Sequence, residues 1–158
     1  MRIGLGYDVH AFAEGRRLVL GGVEIAHDRG LLGHSDADVL AHALADAVLG
    51  ALREGDIGRL FPDTDPAYRD ADSIELLAAV GRLVRDAGWR LVDADCVVIA
   101  EQPKLAPHRG EMRANLARAL GVGVDCVGVK ATTTEGLGFA GREEGIAAQA
   151  VVLLDRAE

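Results

Sequence analysis

The fold is decided by residues 33–55, GHSDADVLAHALADAVLGALREG. Apolar residues recur at helical spacing from Leu40 to Leu52, which predicts a helix with an apolar stripe that packs against the core. Ser35 is a suitable N-cap for this helix, with Asp38 three positions later as its capping-box partner. The glycine that closes the stretch is expected to end the helix.

Strand-like segments and further helices alternate on both sides of this helix. Two more helices are predicted, from the N-cap Asp72 to Gly88 and from Pro107 to Leu120, and a tight hairpin turn at residues 21–22. Strands are predicted at residues 2–9, 17–20, 23–25, 90–100, 127–131 and 146–154. This order indicates an α/β or α+β fold in which about three helices cover one sheet, and a single domain over residues 1–158.

The composition is that of an acidic protein with ample material for a core. The 158 residues contain 17 Lys and Arg against 25 Asp and Glu, a net charge of −8, and 49% of them are hydrophobic. The apolar fraction excludes intrinsic disorder, and the negative charge without a polybasic run argues against nucleic-acid binding. No apolar run approaches the ~20 residues that a membrane helix requires.

The N-terminal residues MRIGLGYDVH do not match a signal peptide, because Asp8 falls where the apolar segment should lie. Cys96 and Cys126 each lie in a strand-like run, and we expect them to be reduced, buried thiols. These features predict a cytoplasmic protein that does not associate with a membrane.

Histidines and aspartates recur on two of the predicted elements. Asp8 and His10 are two residues apart on a strand, so both side chains project from one face. His42 belongs to a helical line of His and Asp residues spaced four apart, from His34 to Asp46. Two histidines and a carboxylate suit Zn²⁺ and leave one coordination position open, with Asp46 available to orient the His42 ring. The alternative is that these histidines are ordinary surface or hydrogen-bonded residues.

Hydroxyl groups and glycines are concentrated at residues 130–145, KATTTEGLGFAGREEG. Threonine hydroxyls and backbone N–H groups hold phosphate oxygens well, and Arg142 adds a planar cation. Glu135 could ligate a hard cation, Mg²⁺ or Mn²⁺, that bridges two phosphates. The alternative is a glycine-rich turn between two strands, with threonines that favour strand structure.

Two further segments carry weaker signals. GHSD opens the predicted helix, whose free N–H groups and positive dipole end favour an anion near His34 and Ser35, although capping alone also explains these residues. EQPKLAPH, residues 101–108, is a proline-bracketed loop in which Lys104 could close over a ring or a phosphate. It could equally be a surface connection.

Six stretches occur in an order and at separations that resemble the 2-C-methyl-D-erythritol 2,4-cyclodiphosphate synthase family. They are RIGLGYDVHAF, GLLGHSDADVLAHALADAVLGA, GDIGRLFPDTDP, ADS, PKLAPH and VKATTTEGLGFAGREEGIAAQAVVLL. Each is weak alone, but together they are specific and span nearly the whole chain. The resemblance implies a homotrimer of α/β subunits, each a four-stranded mixed sheet flanked by helices, with active sites between neighbouring subunits.

The resemblance also implies roles for individual residues. Asp8, His10 and His42 would bind Zn²⁺, and Glu135 would hold a second divalent ion together with the substrate phosphates. His34 and Thr133 would act on the transition state. The implied substrate-binding residues are Ser35, Asp56, Ile57, Gly58, Phe61, Asp63, Asp65, Ala100, Pro103, Lys104, Leu105, Ala106, Thr132, Thr134, Phe139 and Arg142. Residues 61–72 would form a flexible loop, and residues 100–106 and the threonines would come from an adjacent subunit.

The implied reaction is intramolecular and belongs to the non-mevalonate isoprenoid pathway. The 2-phosphate of 4-diphosphocytidyl-2-C-methyl-D-erythritol 2-phosphate attacks its own β-phosphorus, CMP leaves, and a cyclic diphosphate forms. A metal-dependent phosphoester hydrolase and a non-catalytic trimer that senses an isoprenoid diphosphate are the competing hypotheses. The chain has Gln149 where some family members have Glu, and Tyr7 where some have Phe. In those members the two positions line a cavity on the threefold axis that admits isoprenoid diphosphates.

Overall fold

The computed structural model describes residues 1–157. Over these residues the chain forms seven strands, β1 (Arg2–Ala13), β2 (Leu18–Leu20), β3 (Val23–Ile25), β4 (Gly30–Leu31), β5 (Trp89–Ile99), β6 (Val127–Thr132) and β7 (Gly145–Arg156). The same residues form five α-helices, α1 (Val39–Leu52), α2 (Ile57–Leu60), α3 (Ser73–Asp86), α4 (Arg109–Leu120) and α5 (Gly138–Gly141). Because α2 and α5 are single turns, three helices remain to cover the sheet, as predicted.

Five of the described strands form one mixed sheet in the order β4–β1–β7–β5–β6, and β2 pairs with β3 in a separate hairpin. β7 runs antiparallel to β1 and β5, and β6 runs parallel to β5. The expected count of four strands was therefore one short. The additional strand, β4, is only two residues long and pairs with Phe12 and Ala13. Pairing with β7 at residues 10–11 and with β4 at residues 12–13 extends β1 beyond the predicted residues 2–9.

Helix α1 lies directly against β1. Gly4 and Gly6 stand where the strand crosses the helix, and a Cβ at these positions would overlap the carbonyl oxygens of Ala47 and Ala43, respectively. Every residue of α1 is buried except three, His42, Asp46 and Gly50. A helix that is apolar on nearly all sides belongs in the centre of a core. The side chains that break this pattern, an imidazole and a carboxylate, form the polar edge of α1.

Helix α1 begins later than the sequence predicts. Its N-cap is Asp38, whose Oδ1 accepts a 3.0 Å hydrogen bond from the Ala41 N–H, so the prediction of Ser35 as the cap is wrong. The buried Asp38 carboxylate also accepts from the N–H groups of Gly21 and Gly22, at 2.9 and 2.8 Å. Asp38 is the better cap because it joins the helix to the β2–β3 turn. Burial raises the pKa of Asp38 to about 6, against the effect of these hydrogen bonds.

The other helix ends agree more closely with the sequence. Asp72 caps α3 as predicted and accepts from the Ile74 N–H at 2.8 Å. Helix α4 ends at Gly121 in the left-handed conformation, as predicted, and Pro107 lies in a short 3₁₀ turn just before its start. Helix α1 ends at Arg53, two residues before the predicted glycine.

The sheet has one covered and one open face. Helix α1 packs against β1 and β7, α3 contacts β5, and α4 contacts β6. On the other side, the odd-numbered residues of β1, from Ile3 to Val9, are exposed although they are apolar, and Val151 of β7 is exposed beside them. We call this side the open face. An exposed apolar surface of this kind is typical of a protein–protein interface.

Both cysteines are free thiols, as predicted. Cys96 is buried on β5, and burial raises the pKa of its thiol to about 12, which makes it unreactive. Cys126 is half-buried instead of buried. No helix within residues 1–157 is both long and apolar enough to cross a membrane.

Candidate functional site

Three potential metal ligands converge between β1 and α1. Asp8 and His10 lie on the covered side of β1, and His42 lies near the start of α1. Asp8 Oδ2 is 2.9 Å from His10 Nε2 and 3.1 Å from His42 Nδ1, and the two nitrogens are 3.2 Å apart. In the part of the chain that the structure describes, these residues form the one cluster of His, Cys, Asp or Glu that could hold a metal ion. We call them the metal group.

The geometry of the metal group fits one small cation. Zn²⁺ bonds of ~2.0–2.1 Å in a tetrahedral arrangement place neighbouring ligand atoms about 3.3 Å apart. The three ligand atoms already lie close to that separation, so little side-chain movement is needed for binding. Two imidazole nitrogens and one carboxylate oxygen are a donor set that suits Zn²⁺.

The backbone orients His10 toward the metal group. Its Nδ1 lies 2.7 Å from the Leu32 carbonyl oxygen, which can only accept, so Nδ1 carries a hydrogen and Nε2 is the ring nitrogen left to bind a cation. Burial favours a higher pKa for Asp8, but the contacts of its carboxylate with the rings of His10 and His42 outweigh burial and hold that pKa well below its ordinary value. Burial favours a lower pKa for His10, yet its hydrogen bond to Asp8 and the charge of Asp8 hold that pKa above its ordinary value. A cation that binds here therefore competes with a proton for His10 Nε2.

Serine side chains orient His42, and the prediction that Asp46 does so is wrong. Asp46 Oδ1 accepts from the Ile57 N–H at 2.7 Å and thereby anchors the start of α2. His42 Nε2 instead lies 2.9 Å from Ser73 Oγ and 3.2 Å from Ser35 Oγ. Helical spacing can identify neighbours within α1 only, whereas Ser73 is brought to His42 from the first residue of α3.

A cavity of about 340 Å³ opens beside the metal group. Besides His10 and His42, it is lined by many of the residues implied for the substrate, namely His34, Ser35, Ile57, Gly58, Phe61 and Asp63, and also by Gly33, Tyr68 and Leu76. The cavity therefore combines an apolar wall with imidazole, hydroxyl and carboxylate groups. A polar ligand that reaches the metal group could lie in it.

Two of the predicted aspartates have structural partners near this cavity. Asp56 caps α2 by accepting from the Arg59 N–H at 2.9 Å, and Asp65 caps the short turn of residues 66–68. The backbone carbonyl oxygen of Asp65 also lies 3.2 Å from His34 Nε2. Residues 56–66 are thus tied to the cavity wall at both ends.

The predicted anion site at the N-terminus of α1 is not formed. His34 and Ser35 lie in the loop before Val39, the first residue of α1. His34 is therefore not part of the helical line of His and Asp residues that the spacing predicted. The carboxylate of Asp38 occupies the helix N-terminus as its cap. His34 and Ser35 line the cavity from the preceding loop instead.

The remaining predicted residues belong to a second, exposed group. It centres on residues 133–137, which follow β6 and which we call the threonine loop. Thr133 Oγ1 donates to Glu135 Oε1 at 3.3 Å, and Glu135 has a left-handed φ of 55°. A left-handed conformation in a non-glycine residue persists only where its surroundings hold it.

Glu101 holds the threonine loop in this conformation. Its Oε1 accepts from the N–H groups of Thr134 and Gly136, at 3.0 and 3.2 Å, while the Thr134 hydroxyl donates to the Leu137 carbonyl oxygen at 2.6 Å. The hydrogen bonds from Gly136 and Thr134 lower the pKa of the Glu101 carboxyl. One side chain thus fixes the backbone on both sides of Glu135.

The segment implied for the cytosine ring runs beside the threonine loop. The Ala100 N–H donates to the Thr132 carbonyl oxygen at 3.0 Å. Ala100 and Leu105 are buried, so these side chains serve the core. Lys104 and Ala106 are exposed and Pro103 is half-buried.

Two other predicted residues extend this exposed group. Arg142 forms a 3.1 Å ion pair with Glu144, which places its guanidinium at the surface. Phe139 lines a cavity of about 280 Å³, together with Tyr7, Ile99, Leu137, Gly138, Ala140, Ala147 and Thr134. The cavity adjoins the open face, because Tyr7 belongs to the exposed row of β1.

The metal group and the threonine loop lie on opposite sides of the sheet. Val9, Ala147, Ile99 and Thr132 are in register on successive strands, so Thr132 lies about 14 Å from Val9 at ~4.8 Å per strand. Residues in register point to the same side, and Val9 points to the open face. Asp8 and His10 flank Val9 and point to the covered face. Within one chain, the metal group and Thr132 therefore face away from each other.

The sequence predicts no role for three residues of the site, although two of them, Asp36 and Ser73, lie within stretches that carry the family resemblance. Ser73 and Asp36 reach His42 through contacts between α3 and the loop before α1, and Glu101 reaches the threonine loop from a different connection. Each is a common surface residue type in a turn or at a helix end. Their roles follow from tertiary contacts over more than 30 residues of sequence.

The chain matches the family model described as the YgbB family over residues 1–155. It is 64% identical over 157 residues, 99% of this chain and 98% of the relative, to the 2-C-methyl-D-erythritol 2,4-cyclodiphosphate synthase of Geobacillus thermodenitrificans. Among solved structures, it is similar to a 2C-methyl-D-erythritol-2,4-cyclodiphosphate synthase in its CDP-bound form, with a TM-score of 0.88, 44% identity, and coverage of 98% and 100% of the two chains. It is also similar to the structure of the bifunctional IspDF from Campylobacter jejuni, with a TM-score of 0.95 and 47% identity. The match covers 99% of this chain and 42% of the IspDF chain.

Proposed function

The chain belongs to the YgbB family, and we propose that it converts 4-diphosphocytidyl-2-C-methyl-D-erythritol 2-phosphate into 2-C-methyl-D-erythritol 2,4-cyclodiphosphate with release of CMP. It is a phosphorus–oxygen lyase of isoprenoid precursor synthesis by the non-mevalonate route. The observation that carries this proposal is the position of the metal group at the wall of a cavity that His34, Ser35 and Asp63 also line.

In this proposal, the metal group holds Zn²⁺, and Glu135 holds a second divalent ion, Mg²⁺ or Mn²⁺, together with the substrate phosphates. When bound, such ions neutralise charge on phosphate oxygens and reduce the repulsion between the reacting groups. The donor atoms support these assignments, since imidazole with carboxylate suits Zn²⁺ and an isolated carboxylate suits the harder ions. A chain with a net charge of −8 needs such help to bind a polyanion.

The cavity residues bind and orient the methylerythritol part of the substrate. Ser35 and His34 lie where they can donate hydrogen bonds to a phosphate near the metal group. Asp63 is positioned to accept from a sugar hydroxyl, and Phe61 covers the apolar side of the sugar. Asp56, Ile57 and Gly58 hold the ribose, and Asp65 supports this segment through the His34 contact.

The cytidine part of the substrate is held by a neighbouring subunit of a homotrimer. Residues Ala100, Pro103, Lys104, Leu105 and Ala106 form the base pocket, and Thr132, Thr133, Thr134, Phe139 and Arg142 hold the diphosphate side. The distance of about 14 Å and the opposite orientation of the two groups within one chain support a site between subunits. The apolar open face provides a surface through which three copies can assemble.

The reaction needs little acid–base chemistry from the protein. The nucleophile is a phosphate anion already, so no strong general base has to remove a proton. The main difficulty is to hold two phosphates in line while charge builds up on the oxygens of the attacked phosphorus. Donors such as the hydroxyl of Thr133 and the ring of His34 stabilise that charge. Binding both ends of one molecule supplies the proximity.

The proposal is tested by product analysis. The purified protein is mixed with the substrate and a divalent ion, and the products are followed by phosphorus NMR. We expect CMP and the cyclic diphosphate in equal amounts. Linear methylerythritol phosphates in place of the cyclic product would instead identify a metal-dependent phosphoester hydrolase.

A non-catalytic sensor of isoprenoid diphosphates is the less favoured alternative. It predicts that His42→Ala leaves binding of such a ligand intact, whereas the cyclase loses both bound zinc and turnover. Tyr7 and Gln149, which differ from some family members, are register partners on the open face and bear on this alternative only. We further propose that the chain acts as one catalytic domain in the cytoplasm, without nucleic-acid or membrane partners.

A further inference from the structure

We propose that Ser73 and Asp36 are positioning residues that fix the ring of His42 as a metal ligand through a directed chain of hydrogen bonds. The inference rests on the proposed metal site and extends it to residues outside the ligand set. Its basis is the arrangement of donors and acceptors from His42 Nε2 through Ser73 Oγ to Asp36 Oδ1.

The direction of each hydrogen bond in this chain follows from its last member. An ionised carboxylate only accepts, so the contact between Ser73 Oγ and Asp36 Oδ1 must use the serine hydrogen. Ser73 has one hydroxyl hydrogen and can therefore only accept in its 2.9 Å contact with His42 Nε2. His42 must then carry its hydrogen on Nε2. That leaves a lone pair on Nδ1, the atom that faces Asp8 and His10.

Asp36 is well held for this role. Its Oδ2 accepts from the Ser73 N–H at 3.1 Å, and its Oδ1 accepts from the Asp38 N–H at 3.1 Å. Its own N–H donates to the Ala71 carbonyl oxygen, also at 3.1 Å. Asp36 therefore joins the loop before α1 to the start of α3, and Ser73 is buried between them. The acceptor at the end of the chain cannot easily turn away.

Ser35 is a weaker partner for the same nitrogen. Its Oγ lies 3.2 Å from His42 Nε2 and also accepts from the Ala37 N–H at 3.2 Å. No carboxylate orients its hydroxyl among the described residues, and the Ser73 Oγ that its hydrogen could reach is 3.4 Å away, so the hydrogen can turn toward a ligand in the cavity. Ser73 and Asp36 thus fix the ring, while Ser35 remains available to the substrate.

The two histidines of the metal group are therefore oriented by different means. His10 is fixed by a backbone carbonyl oxygen that belongs to the loop after β4, whereas His42 depends on two side chains. Side chains can be replaced without a change in the backbone, so the role of Ser73 and Asp36 in orienting His42 can be tested directly by substitution. Partners of this kind typically contribute 10–100-fold to metal affinity.

The experiment compares Ser73→Ala, Ser73→Thr, Asp36→Asn and the control Asp72→Ala in the full-length protein. Asp72 caps the same helix by accepting from the Ile74 N–H and has no described hydrogen bond to His42. Zinc affinity is measured by competition with a chelator in the absence of substrate. In parallel, the protonated nitrogen of His42 is identified in the metal-free protein by ¹H–¹⁵N correlation NMR.

We expect Ser73→Ala and Asp36→Asn to weaken zinc binding by about 10–100-fold. Ser73→Thr, which keeps the hydroxyl, should recover most of the affinity, and Asp72→Ala should retain it. In the NMR spectra, the hydrogen on His42 should be confined to Nε2 in the unmodified protein and distributed over both nitrogens in Ser73→Ala. If Ser73→Ala does not fold, Asp36→Asn tests the same hydrogen-bond chain. Asp36 is only half-buried, so its replacement disturbs the core less.

Unchanged zinc affinity in both Ser73→Ala and Asp36→Asn would overturn the inference, as would an unmodified protein with the hydrogen on Nδ1. Equal losses in Asp72→Ala and Ser73→Ala would also overturn it, since they would point to a general effect on α3. Failure of the proposed function is distinguishable. If the protein makes no cyclic product, the zinc and NMR measurements still decide the role of Ser73 and Asp36.

Discussion

The metal group and the threonine loop are built in contrasting ways. The metal group stands on a twelve-residue strand and a buried helix, and its histidines contact fixed partners. The threonine loop is exposed, contains the left-handed residue Glu135, and depends on the single carboxylate of Glu101. The first is complete within one chain, whereas the second points away from it. In the proposed trimer, a ligand site would combine a rigid half with a half that becomes useful only on assembly.

The largest expected effect tests the rigid half. Asp8→Ala removes the carboxylate that both histidines contact, so zinc should be lost. Because a bound metal supplies several kcal/mol of charge stabilisation, kcat/KM should fall by at least about 10³-fold. The measurements are metal content by elemental analysis and product formation. The assembly should persist in gel filtration, since the core strands do not depend on this side chain; loss of the trimer would show that the two halves are not independent.

A second change separates assembly from metal binding. Leu5 is exposed on the open face, on the side of the sheet opposite the metal group, and Leu5→Glu places a charge on each copy of that face. We expect subunits to dissociate and kcat/KM to fall by at least about tenfold, because interface truncations and charges cost on the order of 2 kcal/mol. Zinc content should not change. Sedimentation and elemental analysis on the same sample check this, and full activity in a monomeric variant would refute a site shared between subunits.

A matched pair of glycine substitutions compares how the two halves resist strain. Gly6→Ala puts a Cβ into the carbonyl oxygen of Ala43, so β1 and α1 must separate, at a cost of about 2 kcal/mol or more. Gly136→Ala meets no atom within 4 Å and costs about 1 kcal/mol through its φ of +78° alone. Urea unfolding measures both. An equal loss of unfolding free energy in the two variants would contradict this comparison. It would show that close packing does not matter more at the metal group than backbone conformation matters in the threonine loop.

The smallest expected effects concern Glu101. Glu101→Ala removes the acceptor of the hydrogen bonds from the Thr134 and Gly136 N–H groups and should lower kcat by about tenfold, because the threonine loop is then held less firmly. Zinc affinity should not change. Glu101→Gln keeps an oxygen acceptor and should retain most of the activity. A drop in zinc affinity for Glu101→Ala would show that the loop and the metal group are coupled within one chain.

The same carboxyl predicts a pH dependence of the threonine loop. Hydrogen bonds from Gly136 and Thr134 lower the pKa of Glu101 below its ordinary value of 4.5. The folded loop therefore binds the proton less readily, so its stabilisation is present above pH 4.5 and is lost as the pH falls through the lowered pKa. Amide exchange at Thr134 and Gly136 should accelerate in that acidic range. Glu101→Gln should abolish this dependence.

Local patterns in the sequence predict the elements well where one signal dominates. The stop at Gly121 and the cap at Asp72 were predicted because each depends on residues adjacent in sequence. The cap of α1 was not, because Asp38 is preferred over Ser35 through its additional bonds to the hairpin turn. Contacts between residues distant in sequence also explain why Ser73, and not Asp46, is the partner of His42. Asp46 is near it along the helix, but Ser73 is near it in space.

The order of the longer strands and helices and the central buried helix follow from the sequence alone, since periodicity is a local property. The spacing of Asp8, His10 and His42 allowed a metal site, and the resemblance to a known family favoured it over ordinary histidines. Only the tertiary structure decided which side chains complete each half of the site. It placed Ser73 and Asp36 behind His42, gave the threonine loop to Glu101, and put the metal group and Thr132 on opposite faces of the sheet. Hydrogen bonds and strand register join residues that are distant in sequence, and no local pattern records such pairings.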